Sequence, residues 1–330
     1  LCDEDSEVTQ RYIELVELFK RMEELATILR QKRYSRGSID FDFPETKILV
    51  DEQGKPLEVK AYDRNVATRI IEDFMLIANE TVAEEYFWLE LPFLYRSHDN
   101  PDPEKIRKLG AFINNFGYSI KIGDEIHPKE LQKLLGKIEG SDEENMIARL
   151  TLRSMKRANY TTECVGHFGL AAKYYCHFTS PIRRYPDLQI HRIIKENLHG
   201  GIKEKRQKHY EELLSEVAKH TSAMERRADD AERDTDKLKM VQYMEQYIGE
   251  DFEGVISGIT EWGIYVVLPN TIEGMINVNS LKDGFYDYDA YHYELFNRMT
   301  GRTFKLGQKI KVTVNNTDRI LRTIDFVLSE

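Results

Sequence analysis

The hydrophobic periodicity of this chain changes abruptly at Gly249, so one layer type cannot accommodate both sides of the change. Before it, apolar residues recur at helical spacing between charges, ending in a stretch from Ile202 to Tyr247 that reads as a long, highly charged helix. After it, Phe252-Glu-Gly-Val-Ile-Ser-Gly-Ile-Thr-Glu-Trp-Gly-Ile-Tyr-Val-Val-Leu268 alternates and is punctuated by glycine. Gly274-Met-Ile-Asn-Val278, Gln308-Lys-Ile-Lys-Val-Thr-Val314 and Thr323-Ile-Asp-Phe-Val-Leu328 continue the pattern. Short strands with glycine turns predict a small β-barrel. A chain of 330 residues has room for two or three cores, and the boundary falls near Ile248. The expected organisation is α+β: a mixed part over 1–247 and an all-β part over 248–330.

The first part reads as follows. Val8, Tyr12, Leu15, Val16, Phe19, Met22, Leu25, Ala26 and Leu29 predict one amphipathic helix over 6–33, packed on a core. Ile39, Phe41 and Phe43 share a parity within Ser38–Val50, and a Glu52-Gln-Gly-Lys55 turn leads into Leu57–Ala61, which predicts a β-hairpin. Asp63 is a candidate N-cap for a helix reaching Trp88. A short strand over 93–98, helices over 103–116 and 143–158, and a helix start at Ile126-His-Pro128 complete this part. Pro181 and Pro186 keep the next segment out of helix interior, and helical spacing resumes over 187–197.

Cys2, Cys164 and Cys176 have no metal-ligand spacing, and an odd count argues against a secreted disulfide framework, so a reducing cytoplasm is expected. No stretch approaches the roughly 20 apolar residues that span a bilayer. The net charge of −10 opposes nucleic acid as a partner of the whole surface. Between Asn145 and Gly200, however, nine Lys and Arg stand against three acids, a basic patch in an acidic chain.

That patch contains His177-Phe-Thr-Ser-Pro-Ile-Arg-Arg-Tyr-Pro-Asp-Leu-Gln-Ile-His-Arg192. Arg183 and Arg184 follow a proline that fixes the local backbone, so two guanidinium forks sit on a rigid loop, beside Tyr185 as a stacking surface. Such a loop serves either phosphate binding or a structural ion-pair network. Asp229, Asp230, Asp234 and Asp236 invite a metal-site reading, but at about 100° per residue they split between two helix faces and do not converge. They read as solvated charge.

The run His177–Arg192 resembles the signature of the RNase II/RNase R catalytic domain, the RNB domain. Arg36-Gly-Ser-Ile-Asp-Phe41, Ile71-Glu-Asp-Phe-Met-Leu-Ile-Ala-Asn79, Tyr95-Arg-Ser-His98, Leu152-Arg-Ser-Met-Lys-Arg-Ala158 and Gly166-His-Phe-Gly-Leu-Ala171 agree in order. The segment from 248 resembles an S1 domain, an OB-fold RNA-binding module. The resemblance implies long helices around a β-barrel core, then the OB-fold, in a monomeric enzyme that hydrolyses single-stranded RNA processively from the 3′ end to nucleoside 5′-monophosphates. The alternative is a non-catalytic RNA-binding module.

By that resemblance Arg183, with Arg184 sharing or exchanging the role, stabilises charge at the scissile phosphate. Phe41 stacks on the terminal base, although strand alternation would equally make it a core aromatic. Glu72 faces the terminal nucleotide, Tyr185 adds stacking, and Glu232 or, second, Glu225 touches RNA. In the S1 segment Phe252, Trp262 and Tyr265 offer stacking faces, Asn277 stands where many such domains have histidine, and Lys305, Lys309, Lys311, Arg319 and Arg322 are available for phosphates. The family's chemistry resembles two-metal hydrolysis on magnesium held by clustered aspartates. Those ligands are expected upstream of Leu1, and the isolated chain is expected to be inactive.

Overall fold

The computed structural model describes residues 6–41, 45–62, 64–123, 125–141, 143–290 and 292–329. It begins with helices α1 (Ser6–Arg11) and α2 (Ile13–Arg36), separated at Tyr12 and closed by Gly37 in the left-handed conformation. α2 was expected to pack through its apolar stripe, yet only Ala26 is buried, and Leu15, Leu18, Phe19 and Leu25 stay exposed. Ion pairs hold it instead: Arg30 and Arg33 both reach Asp73 at 2.7 Å, and Arg36 forks onto Glu80 at 2.7 and 2.8 Å.

Strands β1 (Glu45–Val50) and β2 (Pro56–Tyr62) form the hairpin. Its first strand starts later than the alternation suggested. Residues 38–41 are not strand, because Ile39 N–H donates to Gly169 O at 2.7 Å instead of to a sheet neighbour. Phe43 lies outside the described residues, as does Asp63, the expected cap. Helix α3 (Val66–Trp88) is capped by Asn65, whose side chain accepts from Thr68 N–H.

Strand β3 (Tyr95–Ser97) precedes helices α4 (Pro103–Asn114), α5 (Pro128–Ile138) and α6 (Glu144–Ser154), and pairs antiparallel with β4 (Asn159–Thr161). α6 ends four residues before the expected Ala158 because Met155 turns extended towards β4. Helix α7 (Tyr185–Leu198) begins two residues earlier than its apolar spacing suggested, since Pro186 sits in the first turn, where no N–H is needed. The long helix α8 (Glu204–Met244) crosses to a 3₁₀ turn over Glu245–Tyr247. The described sheets before the barrel are these two strand pairs.

Strands β5 (Asp251–Thr260), β6 (Gly263–Val267), β7 (Glu273–Asn277), β11 (Lys309–Asp318) and β12 (Thr323–Leu328) close a barrel in the order β11-β12-β7-β6-β5. Strands β8 (Asp287–Asp289), β9 (Glu294–Phe296) and β10 (Thr303–Phe304) form a small sheet inserted between β7 and β11. Inward Ile256, Ile264, Val266, Ile276, Val312, Val314 and Phe326 fill the barrel. Together the body and barrel make the α+β architecture. No helix among the described residues is long and apolar enough to cross a membrane.

Candidate nucleic-acid and catalytic site

The signature is built from its buried side. Asn79, 3% exposed on α3, accepts from Phe178 N–H at 2.9 Å, donates to Tyr175 Oη at 3.2 Å, and offers its carbonyl to Cys176 Sγ at 3.3 Å. One residue, through its side-chain amide and its backbone carbonyl, thus fixes the run that enters the signature. Phe178 stacks on His191 with ring centres 4.4 Å apart, and His191 Nε2 hydrogen-bonds the Phe178 carbonyl, so loop and helix α7 clasp each other.

The tip is a turn. The backbone N–H groups of Arg183 and Arg184 both donate to Ser180 O, and Asp187, fully buried in the first turn of α7, accepts from Ser180 N–H at 2.8 Å and Arg184 Nη2 at 2.7 Å. Arg184 is largely buried in that pair, with 17% of its side chain exposed. Arg183 is exposed, and its guanidinium carries no hydrogen bond or ion pair among the described residues. Ile182 is fully exposed beside it, and Tyr185 is half exposed with its hydroxyl towards Gln189. The two arginines therefore do different things.

A second chain of contacts meets the signature at His177. Glu225 on α8 receives Arg96 Nη1 at 2.6 Å; the Arg96 guanidinium lies 4.7 Å over the Tyr160 ring; and Tyr160 Oη hydrogen-bonds His177 Nδ1 at 2.9 Å. Burial, then the charges of Arg184 and Arg96, push the His177 pKa down to about 2, so its imidazole is neutral. Burial raises Tyr160 to about 12. Glu225, the second choice from sequence, is the glutamate brought to the signature. Glu232, seven residues on, is exposed.

Phe41 is partly buried against the cluster around Ile106, Ile113 and Phe168. Glu72 on α3 ion-pairs with Arg64, which also reaches Asp40 at 3.5 Å, so Phe41's segment and Glu72 share one cation. At the barrel, Trp262 is 68% exposed at the β5–β6 turn, Tyr265 is half-buried on β6, and Asn277 pairs in register with Gly263. The Asn277 side chain accepts from Asn279 N–H and so is engaged in a local cap. Phe252 does not join these three: it lies about 20 Å along β5 from Gly258, at some 3.3 Å per residue, and packs edge-on to Tyr247. Lys305, Lys311, Arg319 and Arg322 are ion-paired to Glu294, Asp251, Glu245 and Asp234, whereas Lys309 has no ion pair among the described residues. Lys309 and Lys311 line a cavity of about 620 Å³ with Arg149 of the basic patch, between α6, β1 and the barrel.

Among the described residues no three His, Cys, Asp or Glu side chains are grouped to hold a metal ion. Asp229 and Asp230 are exposed on α8, and Asp230 and Asp234 are paired with Arg233 and Arg322, so they do not fit a magnesium site. Asn79, Arg96, Tyr160, His177 and Asp187 carry the site's architecture, and their sequence neighbours alone do not mark them for it. Asn79, Arg96, His177 and Asp187 stand inside the quoted family stretches, whose order was readable while their partners were not.

Residues 2–200 match the RNB domain family and residues 245–329 the S1 RNA binding domain. Ribonuclease R 1 of Lactococcus lactis is 42% identical over 98% of this chain and 40% of its own length. Ribonuclease R of Aquifex aeolicus is 42% identical over 99% of this chain and 46% of its own. The structure of Mycoplasma genitalium RNase R in complex with ribose-methylated single-stranded RNA superposes with a TM-score of 0.88 at 26% identity, covering 96% of this chain and 50% of that one. The chain spans less than half the length of these two curated relatives and half that of the Mycoplasma chain.

Proposed function

Since this chain belongs to the RNB family of exoribonucleases, with an S1 domain following the RNB domain, we propose that the complete protein degrades single-stranded RNA processively by hydrolysis from the 3′ end, releasing nucleoside 5′-monophosphates. The observation that carries this reading is Arg183: an exposed guanidinium, unpaired among the described residues, on a turn whose neighbouring charge, Arg184, is held by Asp187. A guanidinium so held needs no reorganisation to meet charge that develops on a phosphate during attack. Phe41 and Glu72, linked through Asp40 and Arg64, are assigned to the terminal nucleotide, and Tyr185 to a neighbouring base. Trp262, Tyr265 and Asn277 are assigned to the S1 contact surface, Phe252 to a separate stacking position at the far end of β5, and Glu225 or the exposed Glu232 to the RNA that passes α8. Arg149 and Lys309 at the interdomain cavity guide the backbone.

We place the boundary between the two units after Tyr247. Magnesium supplies water activation and charge neutralisation when bound, and its ligands are assigned outside the described residues. The isolated chain should accordingly bind RNA without cutting it, as the alternative reading of a binding module requires of it. Monomeric action in the cytoplasm completes the proposal.

The test is the complete protein with magnesium on single-stranded RNA labelled at the 5′ end. Progressive shortening of that label with release of nucleoside 5′-monophosphates supports the assignment. Internal cuts, 3′-monophosphate products, or tight binding without cleavage overturn it.

A further inference from the structure

We propose that Asp187 is a positioning residue, which acts through the Ser180 backbone and Arg184 to hold Arg183 free for the substrate phosphate. The inference rests on the exoribonuclease reading above and deepens it.

The geometry is economical. A single carboxylate oxygen, Oδ1, accepts from Ser180 N–H at 2.8 Å and from Arg184 Nη2 at 2.7 Å, so it ties the first residue of the turn to the last. Inside that tie, Arg183 N–H and Arg184 N–H converge on Ser180 O at 3.3 and 3.0 Å. The carboxylate occupies the first turn of α7, where the helix dipole favours a negative charge. With Arg184 drawn inward, Arg183 is the arginine left facing outward, and the turn has little freedom to exchange the two.

Stability alone does not account for this arrangement. Asp187 Oδ2, Arg184 Nε, Thr179 Oγ1 and Gln189 Nε2 are buried without a hydrogen-bond partner, half of all such atoms among the described residues, and they fall within eleven positions. A buried ion pair is often no better for stability than apolar residues of the same volume. A costly charge retained beside an outward-facing guanidinium is therefore explained by the geometry it imposes on that guanidinium.

The experiment uses the complete protein and single-turnover RNA cleavage, with RNA affinity and thermal melting measured in parallel. Asp187→Asn keeps an oxygen for Ser180 N–H and removes the charge that holds Arg184. At a temperature well below its melting point, the variant should cleave about 100-fold more slowly, the scale of a 1 Å misplacement, with RNA affinity unchanged within about threefold. In an Arg183→Ala background the same substitution should add less than about threefold, because Asp187 acts through Arg183. A merely structural role would slow both backgrounds by the same factor.

Wild-type cleavage by Asp187→Asn, or an undiminished effect in the Arg183→Ala background, overturns the proposal. If Asp187→Asn does not fold, Arg184→Met, which removes the donor that Asp187 Oδ1 holds, is put through the same comparison: about 100-fold slower cleavage that vanishes in the Arg183→Ala background is expected, and parental cleavage overturns the proposal. Should the unaltered protein fail to shorten RNA from its 3′ end, the exoribonuclease reading falls first. Activity in the unaltered protein combined with no loss in Asp187→Asn refutes the positioning role alone.

Discussion

Replacing Glu225 with alanine removes the carboxylate that meets Arg96 at 2.6 Å, in a pair whose side chains are 13% and 28% exposed. The Arg96 guanidinium would remain over Tyr160 with no counter-charge, and Tyr160 is the residue that hydrogen-bonds His177. Breaking a fully buried pair costs 3–5 kcal/mol, and solvent reaching Glu225 reduces this to roughly 2–3 kcal/mol. With an unfolding entropy of about 2.1 cal/mol/K per residue, the transition of the helical body should fall by about 5 °C. Glu225→Gln, which keeps an acceptor, should lose about half as much. Glu232→Ala, at an exposed position on the same helix, should stay within about 0.5 kcal/mol of the parent. Differential scanning calorimetry reads all three, and a double-mutant cycle with Arg96→Met isolates the pair. Equal melting temperatures for the Glu225 and Glu232 variants would refute the claim that Arg96 selects Glu225 as the glutamate of this site.

Three further outcomes follow from the structure. His177 has a folded-state pKa of about 2 against about 6.5 unfolded, so its contribution is fully present above pH 6.5 and is lost as pH falls, by up to about 1.4 kcal/mol per pH unit; urea melts of His177→Gln should show a flatter acid limb than the parent between pH 6.5 and 4.5. A Cβ on Gly274 would lie 2.5 Å from the Phe326 ring, which is 1% exposed, so Gly274→Ala should cost about 1–3 kcal/mol, read by urea melts. Asp73→Ala leaves Arg30 and Arg33 without their shared carboxylate, and hydrogen exchange should become faster along α2 while the barrel amides keep their protection.

The barrel was legible in the sequence because alternation with glycine turns is a local signal. So was the signature loop, because two prolines and two arginines restrict its backbone and declare its charge within a few residues. What escaped were long-range choices. Ile39 and Phe41 alternate as a strand would, but Ile39 spends its N–H on Gly169, more than a hundred residues away. Glu225 and Glu232 lie on one helix with similar neighbours, and only Arg96, from β3, separates them. The cations of the barrel looked free for phosphates, yet Arg319 and Arg322 are neutralised by Glu245 and Asp234 from the preceding helical region. The different fates of Arg183 and Arg184 depend on which of them Asp187 can reach, and that is decided by the turn closed on Ser180 O.

The measurement that bears most directly on the account is single-turnover hydrolysis of a 3′-terminated single-stranded RNA by the complete protein carrying Arg183→Ala, set beside its equilibrium affinity for the same RNA. Loss of one preorganised charge at a reacting phosphate predicts a cleavage rate about 100- to 1,000-fold lower, with affinity changed by less than about threefold. An equal loss in rate and affinity, or a rate indistinguishable from the parent, would contradict the assignment of Arg183 to the scissile phosphate.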